Sequence, residues 1–132
     1  MRYAKALLLT LALAGCSDSV GISSGGTFVV AVGSEQYRVR IDNALLATKA
    51  RRMMFGAERQ QIVTGAVARG DGGFNPGYSW HITPGTVSFA DQTIELCDGR
   101  PSDVEANVDY WVDTVKQYCP WGGRFVSEVG AI

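Results

Sequence analysis

Few side chains in this 132-residue chain could do chemistry: three cysteines, Cys16, Cys97 and Cys119, and one histidine, His81. With a single imidazole, Ser/His/Asp or Cys/His catalysis would have to use His81 as general base. Ser79 lies two residues earlier, on the same side of an expected strand, so a small hydrolase using His81 is one reading. No nucleophile elbow, Gly-rich phosphate loop or HExxH accompanies it, and a structural hydrogen bond is the simpler role for a strand histidine. The thiols form no C-x-x-C pair. Asp103, Glu105, Asp109 and Asp113 do not follow calcium-loop spacing. We therefore expect no catalytic residues, metal or cofactor. Arg100, followed by Pro101, could be offered to a protease by a rigid loop at Asp98–Pro101, with the proline resisting cleavage. Of the three tryptophans, Trp80 and Trp111 fall on apolar stripes and belong in a core. Trp121, beside Pro120, is the candidate for an exposed ligand or partner contact.

The N-terminus decides what the thiols do. Met1–Lys5 is short and basic, Ala6–Ala14 is an apolar run too short to span a bilayer, and Leu13-Ala14-Gly15-Cys16 follows. This resembles a bacterial lipoprotein signal peptide, with an aliphatic residue three before the cysteine and small residues between. The resemblance implies cleavage after residue 15, diacylglycerol on the Cys16 thiol, and membrane attachment through that lipid. Two or three acyl chains hold a protein stably where one does so only marginally. Ser17 rather than Asp follows the cysteine, which points to the outer membrane, facing the periplasm, in a Gram-negative host. With Cys16 lipidated, Cys97 and Cys119 remain, and in an oxidising envelope an even remainder reads as a disulfide.

Cleavage also removes Arg2 and Lys5, so 12 Lys and Arg fall to 10 against 13 Asp and Glu, a mature charge of −3. This balance disfavours nucleic acid and anionic headgroups as charge-driven partners. Residues 16–26 comprise the lipidated cysteine and a Ser/Gly-rich tether with an r.m.s. reach of roughly 15–20 Å. A single domain, 27–132, follows, and 46% hydrophobic content can build its core.

Within that domain the organising stretch is Tyr78–Cys97. Tyr78, Trp80 and Ile82 alternate with polar residues, Val87 and Phe89 repeat the pattern after Thr83-Pro84-Gly85, and Ile94 and Leu96 repeat it again before Cys97, predicting three short strands. Further strands are expected at Phe28–Val32, Gln36–Ile41, Arg59–Arg69 and around Arg124–Val129. A helix capped by Asp42 should run to Phe55 and end at Gly56, burying Leu45, Leu46, Ala50, Met53 and Met54 and leaving Lys49, Arg51 and Arg52 outside. A second helix should start at a Ser102/Glu105 capping box and bury Val104, Val108, Trp111, Val112 and Val115.

The run YSWHITPGTVSFADQTIELCDGRPSDVE followed by YCPWGGRFVSEV resembles a small, poorly characterised exported domain family, represented by the N-terminal domain of a slime-mould protein and by single-domain bacterial proteins. The shared features are Tyr78-Ser79-Trp80-His81, Pro84, Phe89, Glu95-Leu96-Cys97-Asp98, Pro101, Val104-Glu105 and Cys119-Pro120-Trp121. The likeness extends through the Phe28–Gly56 half, although Tyr78 stands where the family would have Trp. It implies a compact α+β binding or structural module and supplies no catalytic residues.

The expected fold is α+β: an antiparallel sheet of about five strands, two helices packed on one face, and one disulfide. The leading expectation for function is a non-enzymatic cell-envelope lipoprotein presenting a small domain to another envelope protein or a glycan. The alternatives are an inhibitor of extracytoplasmic proteases acting through Asp98–Pro101 and the His81 hydrolase.

Overall fold

The computed structural model describes residues 25–130, so the expected leader, Cys16 and nearly all of the expected tether lie outside the described residues. The fold is α+β, with seven strands in two antiparallel sheets. β1 (Gly26–Val32) and β2 (Glu35–Ile41) form a hairpin around a two-residue turn that places Gly33 at φ 60°, where glycine is unstrained. β7 (Gly123–Glu128) pairs with the other edge of β1, giving the order β2-β1-β7. The second sheet centres on β3 (Ile62–Arg69), which pairs successively with β5 (Ser88–Ala90), β6 (Gln117–Tyr118) and β4 (Trp80–Ile82). Two sheets thus replace the one anticipated, because β3 is served in turn by three partners too short to extend a common sheet.

Alternation turns Phe28, Val30, Val32, Tyr37, Val39 and Ile41 of the first sheet inward, where they meet Val63, Val67, Trp80 and Ile82 of the second in one core. Tyr37, Trp80, Tyr118 and Trp111 pack ring to ring, with neighbouring centroids 5.3–5.7 Å apart, close to the geometry aromatic quadrupoles favour. The fully buried Asn75 ties the sheets together. Its Oδ1 accepts the Arg38 N–H of β2 at 2.8 Å, and its Nδ2 donates to the Trp80 carbonyl of β4 at 2.9 Å.

The two main helices both touch β2 of the first sheet. α1 (Ala44–Met54) packs against β2 and β7. Its N-cap is Asn43, whose Oδ1 accepts the Leu46 N–H at 3.0 Å, while Asp42 pairs with Arg40. Gly56 ends it at φ 73°, as expected. Ala47, Ala50 and Met53 form its buried face, which turns Leu45 out to 81% exposure instead of burying it. Arg51 is not on a solvated face. It forks onto Glu128 at 2.8 and 2.7 Å, donates to the Gly25 carbonyl at 3.0 Å and lies over the Phe28 ring.

α2 (Pro101–Ala106) starts two positions earlier than the Ser102 cap predicts. Proline is favoured at the first helical position, which makes Arg100 the cap, and Asp103 accepts the Arg100 N–H at 2.8 Å. Ser102 and Glu105 instead bond across the fold, to Glu35 of β2 and to Ser79 respectively. At Asn107 the chain leaves helical geometry, then resumes as α3 (Val108–Tyr110) and a wide π-type turn at Trp111–Val115 that ends with Lys116 at φ 69°. Val104 and Trp111 are buried as predicted, with Val108, Val112 and Val115 packed half-buried against the core. Asp109 and Asp113 both reach Arg69 of β3, at 2.9 and 2.8 Å.

Candidate functional site

Residues 94–96 depart from the expected strand: Ile94 precedes a single 3-10 turn, Glu95–Cys97, and Ile94 and Leu96 are exposed. The turn brings Cys97 beneath Cys119, and the two form the expected disulfide with Cα atoms 5.1 Å apart. The Cys119 N–H donates to the Cys97 carbonyl at 2.8 Å, and the Tyr118 hydroxyl donates to the Gly99 carbonyl at 2.8 Å. Asp98 Oδ1 accepts both the Gly99 and Trp121 N–H groups at 2.9 Å. Cys97, Cys119 and Pro120 are buried beneath this junction, while Trp121 is 42% exposed. A cross-linked, hydrogen-bonded base thus displays one large aromatic ring.

Trp121 forms one wall of a cleft of about 430 Å³; Ile62 at the start of β3 and Asp91, Gln92 and Thr93 after β5 form the rest. Asp91 is held in place by Arg59 Nη2 and Gln61 Nε2, each donating to Oδ1 at 3.0 Å. The Gln61 hydrogen bond, with the Arg59 charge behind it, holds this carboxyl below its ordinary value, so it is ionised at neutral pH. The Thr93 hydroxyl and Gln61 Oε1 are buried without a partner among the described residues. Asp91 also borders a smaller depression of about 190 Å³, lined by Lys49, Glu58, Arg59 and Gln61. An aromatic face beside a hydrogen-bonded carboxylate, with an amide and a hydroxyl nearby, suits a ligand that is apolar on one side and hydroxylated on the other.

The sequence-predicted residues divide between places. Cys97, Cys119, Trp121 and the Asp98–Pro101 loop come together through Asp98. Arg100 caps α2, with its guanidinium 3.4 Å from Asp103 and 3.9 Å from Glu35, and Pro101 is buried. His81 is held by the 70–74 loop: its Nδ1 lies 2.8 Å from the Gly70 carbonyl, Phe74 meets its ring edge to face, and a Cβ at Gly72 would sit 2.7 Å from its Cγ. Ser79 Oγ donates to Glu105 at 2.9 Å. Cys16 lies outside the described residues. Sequence reasoning missed Ile62, Asp91, Gln92 and Thr93. The polar break between the apolar Phe89 and Ile94 was the available signal, but nothing local places it opposite Trp121.

Comparison with curated proteins and with solved structures finds no significant match. A family model, by contrast, matches residues 25–131 and so covers every described residue. The chain belongs to the BP-74 N-terminal domain family.

Proposed function

We propose that this chain is a non-enzymatic cell-envelope lipoprotein, anchored by lipid on Cys16, whose domain binds a glycan in the Trp121 cleft. The observation that carries the reading is the rigid display of Trp121 by the Cys97–Cys119 cross-link and the Asp98 hydrogen bonds, at the mouth of a cleft with a fixed carboxylate. The apolar face of a sugar ring would lie on the indole, and its hydroxyls would meet Asp91 and Gln92. In a Gram-negative host the domain would face the periplasm from the outer membrane. No comparable observation favours the alternatives: the Arg100 guanidinium is exposed and paired with Asp103, and His81 and Ser79 bond to different partners.

Affinity capture tests the reading. The mature domain with Cys16→Ser and an intact disulfide is immobilised against an envelope extract of its host, with retained glycans and proteins identified by mass spectrometry. Trp121→Ala should lower retention about tenfold, the loss of one stacking contact, while leaving the thermal midpoint nearly unchanged. Equal retention by both forms would remove Trp121 from the site, and retention of a glycan-free protein alone would replace the glycan reading with a protein partner. Acylation of Cys16 is checked separately from the mass of the N-terminal peptide.

A further inference from the structure

The two most exposed large apolar side chains among the described residues are Leu45 and Phe55, each 81% exposed. They stand at opposite ends of one helix face. Leu45, Thr48, Arg52 and Phe55 recur at spacings of three, four and three, which a helix of 3.6 residues per turn gathers into a single stripe, with Lys49 alongside. Single exposed apolar residues are ordinary. Two at the ends of a stripe about 15 Å long, with cationic side chains between them, form an amphipathic surface whose other side is already buried in the core through Ala47, Ala50 and Met53.

The course of the chain says what covers this stripe. The described structure begins at residue 25, and Arg51 on the next turn of the same helix donates to the Gly25 carbonyl at 3.0 Å while forked onto Glu128. Gly25, the residue through which Cys16 is joined to the domain, therefore lies beside α1. From Cys16 to Gly25 there are nine links of at most about 3.6 Å, a limit of roughly 32 Å. A lipid on Cys16 would hold the side of the domain that carries α1 within that distance of a bilayer.

Resting on the lipid-anchor reading above, we infer that the Leu45–Phe55 stripe of α1 seats on the surface of the membrane that holds the Cys16 lipid. Leu45 and Phe55 enter the boundary between headgroups and acyl chains, and Lys49 and Arg52 keep their charged ends among the headgroups. Arg52 is paired with Glu58 at 3.2 Å and the mature chain is net acidic, so the apolar ends carry the contact and charge only orients it. Insertion of two side chains is too weak to recruit a free domain. It acts once the anchor has raised the local concentration of membrane, and so sets orientation rather than attachment.

The test supplies the anchor chemically. In the mature chain with its disulfide closed, Cys16 is the one free thiol, and it is coupled to a maleimide-bearing lipid in nanodiscs of phosphatidylethanolamine and phosphatidylglycerol doped with a headgroup nitroxide lipid. Paramagnetic broadening of backbone resonances should concentrate at Leu45, Thr48, Arg52 and Phe55. In Leu45→Ser/Phe55→Ser, whose replaced side chains lie outside the core, the broadening should spread evenly over the domain. Broadening that is uniform in the unaltered sequence, centred on another face or unchanged in the double variant would overturn the inference. So would concentration-dependent shifts of α1 without nanodiscs, which would assign the stripe to a second copy of the chain. Because maleimide replaces the natural modification, a failure of Cys16 acylation in cells would be read from the peptide mass and not from this measurement.

Discussion

Arg51 shows how a residue acquires a role that its neighbours in sequence do not share. Lys49, Arg51 and Arg52 look alike on a helical wheel, yet only Arg51 meets a carboxylate from the far end of the chain, and with it Phe28 and Gly25. The pair is largely shielded, with side chains 22% and 17% exposed, so its charge-assisted bonds keep most of their strength. The Arg51 hydrogen bonds hold Glu128 below its ordinary value of 4.5. The stability this contributes is therefore present above pH 4.5 and lost as pH falls through the lower folded value. Tyr37 and Tyr118 act at the other limit. Burial raises both above 10.0, so stability is full below pH 10 and falls as pH rises beyond it. Denaturant midpoints measured across pH should form a plateau with these two limbs. Glu128→Gln should lower the plateau by about 2 kcal/mol and flatten the acid limb while leaving the alkaline limb in place.

Among the elements, β3 is the one on which the others depend. It pairs with three strands in succession, and at Gly65 the Ile82 side chain of β4 lies tight against its backbone. A Cβ there would run into Ile82 Cγ2 and lie 3.3 Å from Thr86 Oγ1, at a residue already buried. Ile82 belongs to β4 and is itself almost fully buried, so it has little room to move. Gly65→Ala should therefore destabilise the domain by about 1–3 kcal/mol, the usual cost of overfilling a packed interior. A denaturant titration matching the parent would mean that the two strands can separate at no cost. The central stretch yields only two strands, β4 and β5, at its start. Once β3's edges are occupied, Ile94–Leu96 has no strand to pair with and curls into the turn that delivers Cys97.

For the whole molecule, the Cys97–Cys119 bond is the feature that joins structure to proposed function. It closes a loop of sequence separation 22, worth about 3 kcal/mol in the chain-entropy model, and it forms the floor from which Trp121 projects. Cys97→Ser/Cys119→Ser should lower stability by about that amount. It should also loosen Trp121, visible as a lower steady-state anisotropy of the exposed indole against the unchanged signal of Trp80 and Trp111. Unaltered stability would show that the Asp98 and Cys97–Cys119 backbone bonds suffice to hold the junction.

The sequence by itself determined what local patterning and covalent chemistry encode. Alternation predicted β2 and β4, because a strand with one buried face must repeat every second residue, and β-prone apolar runs predicted β1 and β3. Gly56 marked the end of α1, the Val104 and Trp111 spacing marked a buried helical stripe, and the even remainder of cysteines predicted the disulfide. The α+β class followed from these signals, and the family resemblance from the motifs around Trp80, Cys97 and Cys119. Tertiary structure alone decided how many sheets the strands make, which face of α1 is buried, and what stands opposite Trp121. Alternation does not name a strand's partner, and a helix with apolar residues most of the way round can bury more than one face. Leu45 lost its place in the core because β2 and β7 accept the narrower Ala47/Ala50 face. Asp91, Gln92 and Thr93 gained a place in the cleft because β3 holds β5 beside the junction that carries Trp121. Both outcomes depend on contacts between residues far apart in the chain, and no local spacing records them.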